Sequence, residues 1–230
     1  MSGSTPGLSL SAAAARLACV SEIADAYLIA AGSVLDLVGR LEVSAAWDRP
    51  SALAEWSVGG LAGHLAAQVF LGLSRLSDDP GVDPIALDEH YRRAAWVTAE
   101  IGDEVSQNIR TGGQRDAADG HDALMTRLRE ATATLPAVLA AVPSDQPVLI
   151  PWQGWSLRRD DFLVTRMMEI AVHSDDLAAS VGVSAPGLPD EVLGPVLSLL
   201  TRLAVRRHGQ SAVLAALTRA ERAPAAINAF

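Results

Sequence analysis

Lysine is absent from this chain of 230 residues, cysteine occurs once, and the aromatic residues make up 4% of it. A single cysteine, Cys19, excludes an internal disulfide framework and fits a reducing cytoplasm. No histidine stands near it and Arg16 is its nearest basic residue, so a small core residue is read there ahead of a nucleophile. The 18 basic residues are all arginine and are outnumbered by 27 acidic ones, leaving a net charge of −9. Without a cationic surplus the chain has no means of neutralising a phosphate backbone, which excludes nucleic acid as a partner. Arginine without lysine, beside abundant alanine, fits a GC-rich genome. The first ten residues hold no basic residue ahead of an apolar run, so no secretory signal is expected. Long uncharged runs are lacking too. The most apolar early stretch, Ala18 to Leu41, carries Glu22, Asp25 and Asp36, the wet face of an amphipathic helix and not a membrane span.

Half the residues are hydrophobic. That is ample for the core of one domain, with or without an appendage, as a monomer or homodimer. Leu17, Val20, Ala24, Tyr27, Leu28, Ala31, Leu35 and Val38 recur mostly at three- and four-residue steps, predicting a first helix from about Leu10 to Leu41. Ser57 is the expected N-cap of a second helix running to about Leu76, which Asp78-Asp79-Pro80-Gly81 stops. Residues 82–113 read as a long crossover, with a helix from Pro84 through Tyr91, Trp96 and Ile101 ending near Gly112-Gly113. A third helix spans about Asp119 to Val142 with Leu124, Leu128, Ala131, Leu135, Val138 and Leu139 as its stripe. Pro136 should kink it and Pro143 end it. Val148 to Trp155 reads as an extended lead-in, with Ser156 as a start for the fourth helix, about Arg158 to Val181. A further apolar helix, Val192 to Arg207, and a short one, Ser211 to Arg222, close the chain.

The chemistry concentrates on two of these helices. On the fourth, Phe162, Arg166, Glu169, His173 and Asp176 share one stripe at steps of four, three, four and three. Burying polar and charged groups without partners costs several kcal/mol, so an inward-facing stripe of this kind needs a metal, mutual pairing or a wet cavity. Glu169 and His173, one turn apart, can grip a single ion, and His64 on the second helix is the candidate third ligand. Spacing alone leaves satisfied core histidines as an equal reading. Asp176 suits an acceptor that orients His173, and Arg166 a partner for Glu169 or for an anionic substrate. A helix-surface salt bridge accounts for either as well. Gln68, one turn after His64, and Trp152 and Trp155, just before the fourth helix, are candidate substrate-binding residues; solvation of the first and core packing of the others are the alternatives. His90, His121 and His208 have polar neighbours and are expected at the surface.

The runs Trp56-Ser-Val-Gly-Gly-Leu-Ala-Gly-His64-Leu and Thr165-Arg166-Met-Met-Glu169-Ile-Ala-Val-His173-Ser-Asp-Asp176-Leu-Ala resemble the two signature segments of the mycothiol-dependent maleylpyruvate isomerase N-terminal domain, of the DinB-like superfamily. The resemblance covers most of residues 10–182. It implies an all-α fold: a DinB-like four-helix bundle over 1–185, a long crossover between helices 2 and 3, and a short helical C-terminal extension over 186–230. It also implies that His64, Glu169 and His173 bind a divalent ion, zinc first, with nickel, iron or manganese as alternatives. Two imidazoles and one carboxylate leave such an ion an open position, where a bound thiol is held as thiolate. The resemblance names that thiol as mycothiol, the actinobacterial co-substrate. The function it implies is a metal-dependent S-transferase or isomerase acting on a small electrophile. The family's isomerase carries a sizeable extra C-terminal domain where this sequence has about two short helices after Pro189, so the resemblance implies chemistry class ahead of substrate. A metal-dependent hydrolase or lyase that activates water, and a non-catalytic metal- or ligand-binding bundle, are the alternatives.

Overall fold

The structure is a computed structural model that describes residues 21–76 and 81–230. It is all-α apart from one small hairpin. Helix α1 (Glu22–Val38) starts at Ser21, whose hydroxyl accepts the Ala24 N–H, so the predicted start at Leu10 lies outside the described residues, as do Leu17, Cys19 and Val20. Gly39 ends α1 and a short α2 (Leu41–Ala45) follows. Helix α3 (Val58–Ser74) begins at the expected cap, where Ser57 Oγ accepts the Gly60 N–H at 3.0 Å. Helix α6 (His121–Ala141) buries Leu124, Leu128, Ala131, Leu135 and Leu139, carries Pro136 inside it, and leaves Val138 half-buried. Helix α7 (Arg159–Val181) ends at Gly182, which takes the left-handed conformation at φ 73° that glycine adopts without strain. These four long helices form the bundle: α7 packs against α1 and α3, and α6 closes the ring against the same two. Their inward stripes make a core that includes Tyr27, Leu61, Leu65, Leu128, Leu135 and Phe162.

The crossover differs from the expected single helix. Helix α4 (Leu87–Arg93) is followed by a 3₁₀ turn (Ala95–Thr98) and then by α5 (Glu104–Asp116). The Gly112-Gly113 pair lies inside α5 and does not end it. Gly113 is there for close approach: a Cβ on it would fall 2.5 Å from the Gly60 carbonyl and 3.0 Å from His64 Cβ, so α5 rests directly on α3.

Strands β1 (Pro147–Ile150) and β2 (Trp155–Arg158) pair antiparallel, with Leu149 opposite Ser156. Ser156 therefore does not begin a helix. Its backbone is taken up by the ladder and by the Ile85 N–H, which its carbonyl accepts at 2.9 Å. Helix α7 begins three residues later, at Arg159, whose buried guanidinium donates to the Leu139 carbonyl, Ser21 Oγ and Asp160 Oδ1 and so ties three bundle helices together. Beyond the bundle, α8 (Asp190–His208) packs on α1 and α7, and α9 (Gln210–Thr218) packs on α8. No helix among the described residues is long and apolar enough to cross a membrane.

His90 departs from its expected place at the surface as well. It is only 3% exposed, and its Nδ1 accepts the Trp155 indole N–H at 3.1 Å. His121 is half-buried as well, donating from Nε2 to the Val38 carbonyl at 2.9 Å, and His208 is half-buried with its Nε2 donating to the Asn228 carbonyl. Burial, assisted by the Arg166 cation, pushes His90 down to about 4. In the unfolded chain the same imidazole takes a proton near 6.5. Between those values the unfolded state binds a proton that the folded state refuses, so His90 lowers stability as pH falls from 6.5 toward 4, by about 3 kcal/mol in all. Urea unfolding of the wild type and His90→Gln across that range should show a steeper acid-side loss in the wild type; parallel curves would refute it.

Candidate metal centre

Helices α3 and α7 run antiparallel and present two polar stripes to each other. On α3 the stripe is His64 and Gln68, continued by Leu71 and by Arg75 just past the helix end; on α7 it is Arg166, Glu169, His173 and Asp176. All of them line one cavity of about 1650 Å³, open at one side and covered in part by α5. On its wall Glu169 Oε2 lies 3.4 Å from His64 Nε2 and 3.3 Å from His173 Nε2. Ligand atoms of the three residues all fall within 4.8 Å of one another. The two imidazoles meet edge-on with their centroids 4.8 Å apart, and Trp56 stands 5.3 Å behind His64.

Neighbouring groups hold each donor in place. His173 Nδ1 donates to Asp176 Oδ2 at 3.0 Å, which turns Nε2 toward Glu169. The Gln68 amide donates to the His64 carbonyl at 2.8 Å, while its oxygen accepts from Arg166 Nη1 at 2.7 Å. Arg166 also donates from Nε to Thr165 Oγ1 and lies over the Phe162 ring. It thus bonds Gln68 and not Glu169, and no carboxylate among the described residues pairs with it.

The charges follow from burial and pairing. Burial alone would raise Glu169, but hydrogen bonds from His173 and His64 outweigh it and hold the carboxyl well below its usual range. His64 is pushed down by burial. Burial acts on His173 in the same direction, yet the hydrogen bonds to Asp176 and Glu169 raise it to about 9. Protonated His173 offsets part of the charge of the two carboxylates it bonds, the Arg166 cation acts on Glu169 as well, and a metal ion bound at His173 Nε2 would replace that proton. Two nitrogens and one carboxylate oxygen from two helices thus lie close enough together, beside open volume, that they could hold a divalent ion.

Of the remaining candidates, Gln68 is buried at the cavity wall and Trp152 lines the cavity with 56% of its surface exposed. Trp155 is not part of that wall; its indole N–H is engaged by His90 and the Arg93 guanidinium lies over its ring. Three wall residues lie in segments that periodicity reads only as crossover or chain end: Arg110 from α5, Trp96 from the 3₁₀ turn, and Phe230, whose ring packs against both Trp96 and Tyr91.

An all-α bundle with a His/Glu/His cluster facing a wide cavity defines the class. Residues 28–178 match the family model of the mycothiol maleylpyruvate isomerase N-terminal domain, and the chain belongs to that family. Among solved structures, the crystal structure of the mycothiol-dependent maleylpyruvate isomerase is similar in fold, with a TM-score of 0.52 and 16% identity over 82% of this chain and 69% of that one. No curated protein matches the chain.

Proposed function

We propose that this protein is a divalent-metal-dependent thiol S-transferase or isomerase acting on a small electrophile, with mycothiol as the thiol and His64, Glu169 and His173 as the metal ligands. The observation that carries the reading is the convergence of those three donors beside an open cavity. A bound divalent ion, zinc foremost, supplies the Lewis acidity that keeps a thiol as thiolate at neutral pH. Asp176 fixes the ring orientation of His173, and Gln68 ties the α3 backbone at His64 to Arg166. Arg166 keeps free N–H donors for an anionic group of the electrophile. Met168 and Val172 line the same cavity as Glu169 and give that wall apolar surface.

The deciding experiment incubates the zinc-loaded protein with maleylpyruvate and other small electrophiles, with and without mycothiol. Turnover that requires the thiol is expected. Turnover that ignores it would overturn the proposal in favour of water activation, and retention of ligand with no turnover under any condition would favour a binding protein. Asp176→Asn is expected to weaken zinc affinity roughly 10- to 100-fold, the usual effect of losing the acceptor behind a ligand histidine. Competition with a chromophoric chelator measures this, and unchanged affinity would remove Asp176 from the site.

A further inference from the structure

The chain is poor in aromatic residues, with five Trp, two Tyr and three Phe, yet five of these ten line the cavity: Trp56, Phe70, Trp96, Trp152 and Phe230. Such rings are characteristic of pockets for organic ligands. Trp96 from the 3₁₀ turn and Phe230 form one corner of the wall, with Tyr91 of α4 behind them. The Phe230 ring is stacked on Tyr91 at 17° with centroids 6.5 Å apart and meets Trp96 edge-on at 5.1 Å, while Tyr91 and Trp96 meet at 5.8 Å. These are separations and orientations that aromatic pairs prefer, so Tyr91 and Trp96 make a socket fitted to a planar six-membered ring.

Two observations set this socket apart from ordinary packing. Tyr91 is 2% exposed, and its hydroxyl has no hydrogen-bond partner among the described residues. Buried hydroxyls are bonded in the large majority of cases, and an open one behind a cavity wall favours a ligand that brings an acceptor. Burial pushes the Tyr91 phenol up, Glu169 adds to the rise and Arg166 opposes it, so this hydroxyl lies in the field of the donor end. The second observation is how the ring in the socket is held. Residues 223–230 form no helix or strand, 223–226 are exposed, and Phe230 itself is only half-buried. His208 Nε2 donates to the Asn228 carbonyl at 2.9 Å, and Asn228 Nδ2 donates to the Phe230 carbonyl. A segment with so few ties opens before the bundle does.

The geometry points to Tyr91 and Trp96 as the socket for an aromatic ring on the electrophile, one that carries a hydrogen-bond acceptor for the Tyr91 hydroxyl, with Phe230 as the chain's own stand-in for that ring. A wholly aliphatic electrophile would leave the socket to Phe230. The ligand competes with Phe230, so its affinity for the wild type is reduced by the fraction of molecules in which that ring is in place. The assignment rests on the proposed reaction only in calling the ligand an electrophile, and unreactive ligands test the socket by itself.

Acetophenone supplies the ring and the acceptor, and cyclohexyl methyl ketone the same acceptor on a saturated ring; each is titrated into the zinc-loaded protein by NMR. Phe230→Ala should bind acetophenone about tenfold more tightly than the wild type and prefer it to the saturated ketone by about the same factor. Adding Tyr91→Phe to Phe230→Ala should weaken acetophenone roughly tenfold, the scale of one hydrogen bond to an otherwise unpaired hydroxyl. In the wild type, saturating acetophenone should shift the Phe230 amide resonance, a reading that depends on no variant. Equal affinity of wild type and Phe230→Ala, binding to neither, an unshifted Phe230 amide in a wild type that binds, or no preference for the aromatic ketone would overturn the socket and leave Phe230 as an anchor of the fold. Acetophenone binding as expected, with no thiol-dependent turnover of any electrophile, would uphold the socket and sink the proposed reaction. Thiol-dependent turnover beside acetophenone binding that ignores Phe230→Ala would overturn the socket alone.

Discussion

Glu169→Ala purified from zinc-replete medium is expected to hold almost no zinc, where the wild type holds about one ion per chain, because a three-donor catalytic-type site cannot lose its only carboxylate and stay tight. The expectation follows from position. Glu169 Oε2 is within 3.4 Å of both imidazole Nε2 atoms, so it bridges the two helices that carry the histidines. Without it, His64 and His173 face each other across the α3–α7 interface with no anion between them. Two imidazoles alone leave an ion with two of its three protein ligands plus solvent, and the affinity loss should be at least ~100-fold. Glu169→Gln keeps the volume and an acceptor oxygen while removing the charge, and it should lose the ion as well. Metal analysis of both variants, with circular dichroism to confirm that each is folded, tests the point. A wild type that holds no stoichiometric divalent ion under these conditions, or a folded Glu169→Ala that retains it, would end the metal proposal.

That cluster was legible in the sequence because helical periodicity turns spacing into geometry. Glu169 and His173 lie one turn apart on the polar stripe of α7, and the Ser57 cap anchors the register of α3, so the face carrying His64 could be foreseen. What periodicity does not carry is which helix faces which. His90 shows this: its sequence neighbours Glu89, Arg92 and Arg93 suggest solvent, yet its partner is Trp155, 65 residues away on β2. Trp155 was displaced from the expected pocket wall for the same reason. Ser156 resembled a helix cap, but the ladder to Leu149 and the Ile85 N–H claim its backbone first. Helix α5 was hidden by its glycines. In a lone sequence Gly112-Gly113 reads as a stop; in the fold, only Gly113 is constrained, and what constrains it is the surface of α3.

Gly63→Ala should therefore be among the most destabilising single changes in the chain, at about 3 kcal/mol, since forcing a methyl into a backbone contact moves whole helices. A Cβ at Gly63 would overlap the Gly113 carbonyl and crowd the backbone nitrogen of Ala117, and neither can yield as the end of a flexible side chain would. The gain in helix propensity from glycine to alanine, at most about 1 kcal/mol, does not offset this. Gly112→Ala is the matched control. It lies in the same helix as Gly113, a Cβ there meets nothing within 4 Å, and the propensity gain should appear unopposed as a stabilisation of up to about 1 kcal/mol. The effect should also reach the donors. Gly113 sits against His64 Cβ, so pushing α5 off α3 frees the His64 ring, and Gly63→Ala that remains folded should bind zinc more weakly than Gly112→Ala. Urea unfolding and chelator competition on the two variants would show whether the contact of α5 with α3 both stabilises the bundle and positions its histidine. Equal stability of the two variants would mean that α5 does not seat on α3 as closely as the glycines require.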